Sequence, residues 1–393
     1  MKEWKKVKLR ELYEVHNGLS KGRQFFGSGY PFLTFSNVFN NWFLPEELES
    51  LVQSSEKERQ TCSIKKGDVF ITRTSETMDE LGMSSVALKD YPNATYNGFT
   101  KSLRPLTDEV IPEYIGYYLR SPKFRGKFMA FSTMTTRASL ANDDLLSMDV
   151  DIPEKAIQHR IAPILSRYDS LIDNYQKQIK LLEESAQRLY KEWFIDLRFP
   201  GHENTKIVDG VPEGWEKKCV DSIYSIKYGK NLSTKLIEEK GDYPVYGANG
   251  VIGYYSDANC NEQVVLITSR GNGSGDVLMT FHKEAFVTNN SFIVTPLEEY
   301  SYCQLPFTYQ FLNCANFRNV RTGAAQPQLT NQSIHTVDVM LPTKDIIIDF
   351  CKKTHSNNSL IVSLKEEIRH LTEARDRLLP KLMSGEFNIC IND

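Results

Sequence analysis

From Ile157 onward, apolar side chains return at helical spacing: Ile157, Ile161, Ile164, Tyr168, Leu171, Tyr175, Ile179, Leu182, Ala186, Leu189 and Trp193. Intervals of three and four alternate with one extra four, which is a heptad seam carrying a single stutter. A second seam runs Ile346, Phe350, Lys353, Asn357, Leu360, Leu364, Ile368, Leu371, Arg375, Leu378 and Leu382. Its polar members Lys353, Asn357 and Arg375 weaken it, although a buried Asn can fix register. Thr343 stands where a cap for the second helix belongs, and Gly385 where a stop belongs. Pro163 and Pro380 interrupt the two patterns, so a kink or break is expected at each. Each stretch of ~36 residues would extend ~54 Å. Two such seams in one chain most simply pair with each other, antiparallel. Two helices packed separately on their own domains would leave the same pattern.

The rest of the chain alternates short strand-like runs with turn signals, the pattern of an α/β fold. The runs from Tyr30 (YPFLTFSNVF) and from Tyr243 (YPVYGANGVIGYY) are strand-like, and Asn249-Gly250 between apolar residues predicts a hairpin. In each half an apolar strand leads to an Arg and a polar loop. These are GDVFITRTSETMDELG, Gly67 to Gly82, and EQVVLITSRGNGSGD, Glu262 to Asp276. Arg73 and Arg270 are expected to hold the same place after Ile-Thr. Such a loop can bring backbone N–H groups and a guanidinium against a phosphate or a base edge. An ordinary surface hairpin would read identically. An aromatic, helix-like segment ending in basic residues follows each loop: EYIGYYLRSPKFRGKF, with Arg120, Lys123, Arg125 and Lys127, then Arg137 beyond it. Its counterpart is FTYQFLNCANFRNVRTG, with Arg318 and Arg321. Basic residues among Phe, Tyr and Asn suit a phosphate-contacting surface, and they suit a solvated face equally.

These resemblances extend to a repeat. At a constant offset of 189, Leu140 meets Leu329, Val150 meets Val339, Pro153 meets Pro342, Leu171 meets Leu360 and Leu189 meets Leu378. The openings of the halves correspond at offset 211, with Trp4 on Trp215, Tyr13 on Tyr224 and Gly18 on Gly229. The halves therefore share their ends and differ in their middles. A bipartite reader needs that arrangement, and a drifted tandem duplication also produces it. The stretch DLRFPGHENTKIVDGVPEGW, Asp196 to Trp215, reads as a linker between them.

Composition adds limits. A chain of 393 residues with 40% apolar and 25% charged residues suggests two or three globular domains. The N-terminus MKEWKKVKLREL lacks an apolar core for a secretory signal, and no apolar run nears the ~18 residues of a membrane span. Seven scattered cysteines without a CxxC pair suggest reduced thiols in a cytoplasm, with no metal site. A net charge of −3 argues against strong autonomous nucleic-acid binding, which needs clustered Lys and Arg. There is no Pro-Pro dipeptide, so the Asp/Asn-Pro-Pro-aromatic motif of amino-methyltransferases is missing. GxxxxGK[ST], GxGxxG, Pro-Asp and GxSxG are missing too, and no catalytic centre is expected.

Several segments together resemble the specificity subunits of type I restriction–modification systems. They are Trp4 with its basic neighbours, Pro212-Glu213-Gly214-Trp215, the ITR and ITSRG loops, and the IP and LP boundaries before the helices. KEWFIDLRFPGHE, Lys191 to Glu203, and RDRLLPKLMSGE, Arg375 to Glu386, strengthen it, and the likeness covers essentially the whole chain. Many members carry Pro-Pro-x-x-Glu-Gln at the helix start, where this chain has IPEKAIQHR and LPTKDIIID. The resemblance implies target-recognition domains over residues 1–152 and 215–342, spacer helices over 153–195 and 343–385, a linker over 196–214 and a tail over 386–393. It implies recognition of an asymmetric, interrupted DNA sequence, one half per domain. Partners would be double-stranded DNA, two methyltransferase subunits holding S-adenosylmethionine, and restriction–translocase subunits. The chain itself would bind no cofactor and catalyse nothing. Candidate DNA contacts are Lys21, Arg23, Arg73, Thr74, Arg120, Lys123, Arg125 and Arg137 in the first half. In the second they are Lys227, Lys230, Asn249, Arg270, Asn272, Ser274, Arg318 and Arg321. The helix seam for partner docking would comprise Ile157, Ile161, Leu171, Ile179, Leu182, Ile346, Leu360, Leu364, Ile368 and Leu371. The competing class is a coiled-coil adaptor that binds no DNA.

Overall fold

A computed structural model describes residues 4–75, 81–131, 133–134, 138–139, 141–323 and 326–385. Arg137 lies outside them. Two helices dominate, Lys155–Tyr190 and Lys344–Ser384. Ile347 donates to the carbonyl of Thr343, and Gly385 takes a positive φ of 78° immediately beyond the second helix, so both expected boundaries hold. Neither proline breaks its helix. Ile161, Ala162 and Leu165 are buried around Pro163, and Leu379, Leu382 and Met383 around Pro380. That burial outweighs the one backbone hydrogen bond each ring removes.

The chain forms two compact units, Met1–Asp173 with Arg369–Asp393, and Asn174–Ile368. Each is a mixed α/β body completed by segments of both long helices. In the first, a four-stranded antiparallel sheet runs in the order Tyr13–Asn17, Thr100–Pro105, Val69–Thr72 and Ser84–Val86. Leu51–Val52, Phe26–Leu33 and Thr95–Tyr96 form a three-stranded sheet, and Lys5–Lys8 pairs with Asp149–Ile152. The second unit repeats this order strand for strand. Its larger sheet is Tyr224–Tyr228, Ser291–Pro296, Val265–Thr268 and Val277–Met279. Gly250–Tyr255, Tyr243–Gly247 and Phe286–Val287 form its smaller sheet, and Glu216–Cys219 pairs with Asp338–Leu341. Val7 faces Val150 in one closing pair and Lys218 faces Val339 in the other, the offsets of 211 and 189 seen in the sequence. The hairpin at Asn249 forms with Gly247 opposite Gly250, so Ala248 and Asn249 make its tip.

The stretch after the first helix is packed, not free. A π-turn at Lys191–Ile195 buries Trp193 and Phe194, and Phe199 is buried against Trp215 at 5.5 Å between rings. Phe350 from the second helix meets Tyr190, Trp193, Phe194 and Phe307, closing the aromatic core of that unit.

The helix stripe departs from the expected seam. Ile161, Ile179 and Leu364 are buried, whereas Ile157, Leu182, Ile346, Ile368 and Leu371 are half-buried. Leu171 and Leu360 stand outside the buried stripe, with 42% and 45% of their surface exposed. On the second helix the buried stripe runs one residue later, through Ile347, Cys351, Thr354 and Ile361. A straight 3.6-residue helix drifts against a strict heptad, and each unit selects the face that fills its core. Arg375, a misfit in an apolar seam, pairs with Asp169 at 2.7 Å, and its guanidinium lies over the Trp42 ring. Among the described residues no helix is long and apolar enough to cross a membrane.

The corrected register gives a direct test. Ile361→Ala should cost about 2–5 kcal/mol in urea unfolding of the second unit. Its neighbour Leu360→Ala should stay within about 1 kcal/mol, and equal losses at the two positions would restore the heptad seam.

Candidate nucleic-acid interface

Both larger sheets end in the same hydrogen-bonded geometry. In the first unit Thr72 N–H donates to the Met83 carbonyl, Gly82 N–H to Thr72 and Arg73 N–H to Phe99. In the second, Thr268 N–H donates to Asp276, Gly275 N–H to Thr268 and Ser269 N–H to Asn290. Gly82 and Gly275 both have positive φ, 72° and 88°, which lets the returning strand turn tightly. Ser269, not Arg270, therefore matches Arg73. Arg270 matches Thr74: the first bridges to Gln328 and the second pairs with Ser139. Ile-Thr-Arg and Ile-Thr-Ser-Arg share their Ile-Thr, which brings the two arginines together in sequence, while the ladder sets them one residue apart.

A close chain crossing lies beside each sheet end. A Cβ at Gly18 would collide with the Asn97 carbonyl, and one at Gly229 with the Val287 and Thr288 carbonyls. Leu19 N–H donates to Tyr96 and Lys230 N–H to Val287. The turn 97–99 follows, and its counterpart is 288–290. Neither turn is among the expected contacts, although Asn97-Gly98 is a turn signal.

In the second unit the candidates converge on this end. Arg270, Asn272 and Asn249 are exposed, and a Cβ on Gly273 would sit 3.1 Å from the Asn249 amide oxygen. Arg321 reaches the Asn272 carbonyl at 3.4 Å, and Arg318 pairs with Asp276 at 2.8 Å. Lys230 is exposed at the chain crossing, and Lys227 is exposed on its strand. Ser274 is a correction: it is buried, with its hydroxyl directed at the Ser269 carbonyl at 3.4 Å, so it shapes the loop from within.

In the first unit the basic residues scatter. Arg73 is half-buried, with a long 3.5 Å contact to the Gly98 carbonyl. Arg23 is exposed, and Thr74 lies in a short strand. Lys21 bonds the Gln53 carbonyl at 2.7 Å and Glu58 at 2.9 Å. That contact, with the Ser55 backbone, holds the Glu58 carboxyl down at about 2, so the Lys21 charge is answered within the protein at neutral pH. Arg120 is a correction. It turns inward and donates to the carbonyls of Ser84, Val38, Phe39 and Asn41 at 2.6–2.9 Å, with its guanidinium over Trp42. Burial, and then the nearby positive Arg125 and Arg375, lowers its pKa to about 10, which leaves it charged at neutral pH. Arg125 donates to the Leu81 carbonyl at 2.5 Å. Lys123 pairs with Asp151 at 2.9 Å beside Trp4, near the strand pair that closes the unit and away from the sheet end. The basic aromatic segment, which in sequence suits a phosphate-contacting surface and a solvated face equally, is thus largely an internal fastening.

The buried Gln158 keeps the last place of the helix-start motif. Its amide oxygen accepts from Ile111 N–H, and its nitrogen donates to the carbonyls of Glu109 and Pro153, each at 2.9 Å. Offset by 189, Ile347 fills the same place in the second unit by apolar packing, fully buried.

Two copies of one α/β frame, each offering a different polar loop at the same sheet end, define a duplicated recognition module. A family model described as the type I restriction modification DNA specificity domain matches residues 1–184 and 212–370, and the chain belongs to this family. It is 25% identical to the type I restriction enzyme MjaIX specificity subunit of Methanocaldococcus jannaschii, over 99% of this chain and 94% of that protein. The HindI specificity subunit of Haemophilus influenzae is 24% identical over 98% of this chain and all of its own length. The fold is shared with the crystal structure of a type I restriction–modification S subunit from M. genitalium, at TM-score 0.56, 18% identity and 96% coverage of both chains.

The two roles of arginine separate experimentally. Arg120→Met should destabilise the first unit by about 3 kcal/mol or more, because buried carbonyls lose their charged donor. Arg270→Ala should leave thermal unfolding within about 0.5 kcal/mol of the parent. Comparable losses would contradict the division into fastening and exposed arginines.

Proposed function

We propose that this chain is the sequence-specific DNA-recognition subunit of a type I restriction–modification complex. Each unit reads one half of a bipartite, asymmetric target. The observation that carries the reading is the duplicated frame with unlike loops at equivalent sheet ends. A shared scaffold with divergent tips recognises two different short sequences, whereas a plain adaptor needs no such divergence. Base edges give sequence information and phosphates give register, so exposed Arg270, Asn272 and Asn249 suit the first task.

The chain does no chemistry in this account. Methyltransferase subunits supply S-adenosylmethionine and transfer the methyl group, and restriction–translocase subunits cut. Many of the chain's own cations are already paired, as in Lys123 with Asp151 and Arg318 with Asp276. The partners therefore supply part of the phosphate contact to a reader of net charge −3. The two long helices serve as an antiparallel spacer and docking element. Within each unit a charged pair joins the two helices, Asp169 with Arg375 in one and Glu183 with Lys365 in the other, which supports that role.

Three outcomes are expected. The purified chain should methylate nothing, and transfer should appear when modification subunits are added; single-chain activity abolished by a point change here would sink the non-catalytic role. Arg270→Ala in the complex should cost about 1–3 kcal/mol at one half-site if it meets guanine. If it meets phosphate, binding weakens evenly and the salt slope falls by about one; no change in either would make its loop a plain hairpin. Adding one heptad to both helices near Leu171 and Leu360 adds about 10 Å. That should widen the gap in the methylated motif by up to about three base pairs, with unchanged half-sites, and an unaltered gap in an active variant would remove the spacer role.

A further inference from the structure

The turns at 97–99 and 288–290 sit at equivalent points of the two frames and present opposite chemistry. In the first unit the turn is held from four sides. Asn97 Oδ1 accepts from Phe99 N–H at 2.7 Å, and the Asn97 carbonyl accepts from Thr100 N–H and its hydroxyl at 3.0 and 2.7 Å. Gly98 N–H donates to Leu19 at 2.9 Å, and the Phe99 carbonyl receives Arg73 N–H at 3.0 Å. On this rigid mount the Phe99 side chain is 59% exposed, the most exposed aromatic among the described residues. Arg73 lies beside it, and Lys101 is buried two residues on, bonded to Asn142.

The second turn keeps the mount and changes the tip. Asn289 N–H donates to Lys230 at 3.0 Å, Ser291 N–H to Thr288 at 3.1 Å, and Ser269 N–H to Asn290 at 2.8 Å. The carbonyl of Asn289 takes the Ser269 hydroxyl at 3.1 Å, just as that of Gly98 faces Arg73. Asn290 stands where Phe99 stands, and no hydrogen bond within the described residues engages its side-chain amide.

We propose that this turn position is a base-reading position in each unit, with Phe99 contacting a thymine methyl and Asn290 pairing with adenine. The inference rests on the DNA-recognition reading and names residues within it. The thymine methyl is the one apolar group on the major-groove edge, so a fixed, exposed phenyl ring finds its complement there. A free amide fits the adenine N6 and N7 pair in two hydrogen bonds. Both tips are held by backbone bonds before binding, so little ordering is needed on contact.

The test uses the chain assembled with its modification subunits, on a randomised duplex library at one salt concentration. Phe99→Ala should lower the preference at a single A·T pair of one half-site by roughly tenfold, and Asn290→Ala should do so in the other half-site. Salt dependence and thermal unfolding should not change. Replacing the thymine at that pair with deoxyuridine, which removes only the methyl, should weaken the parent complex and leave Phe99→Ala indifferent. Replacing the adenine in the other half-site with 7-deazaadenine should spare Asn290→Ala in the same way. Unchanged preferences in both variants, or an even loss across all positions, would overturn the proposal. A parent complex with no preferred sequence would overturn the recognition reading itself, and this assignment with it.

Discussion

Neither long helix can bury its apolar stripe alone, and each unit is built around that deficit. The first helix gives Ile161, Ala162 and Leu165 to one core, Tyr190 to the core of the other unit and Ile179 to a small cluster with Ile361 and Leu364. The second gives Leu379, Leu382 and Met383 to the first unit, and Ile347 and Phe350 to the second. A charged pair fastens the helical segments within each unit. Asp169 holds Arg375 and also accepts from the Tyr117 hydroxyl, while Lys365 bonds Glu183 and lies over Phe281. Burying a cation is costly unless a carboxylate and a ring face receive it, and both are present in each case. The larger sheet of each unit then has a fixed base, and the two copies present unlike residues at its far end.

That division accounts for the charge distribution. Near the closing strand pairs, lysines meet aspartates: Lys123 and Lys127 on Asp151, and Lys217 on Asp338. At the sheet end of the second unit, Arg270, Asn272 and Lys230 are exposed. A weakly acidic chain can thus carry a basic and amide-rich tip, because many of its described cations serve the interior or cancel locally. Net charge alone was a poor guide to this, since it averages over both populations.

Much of the frame was legible in the sequence. The offsets of 189 and 211 anticipated the two closing strand pairs residue for residue, because strand ladders preserve register and insertions accumulate between them. The helices and their ends were legible from periodicity, Thr343 and Gly385. What periodicity misjudged was the face: Leu360 and Ile361 are both apolar, and only packing decides which is buried. Arg120 was misread for a related reason. Nothing in a list of basic residues reveals four carbonyls waiting for a donor. The paired placement of Arg73 and Arg270 failed by one residue, a slip that only the backbone ladder exposes.

If each copy of the frame is a reader of its own half-site, the two copies are interchangeable. The closing strands mark equivalent boundaries, Lys5 to Ile152 and Glu216 to Leu341, so the second segment can be replaced by a copy of the first. Mapping methylated sites in a host carrying that variant with its modification subunits is the most direct measurement. The expected motif carries the first half-site twice and lacks the second. An active variant that keeps the parent's asymmetric motif would contradict it.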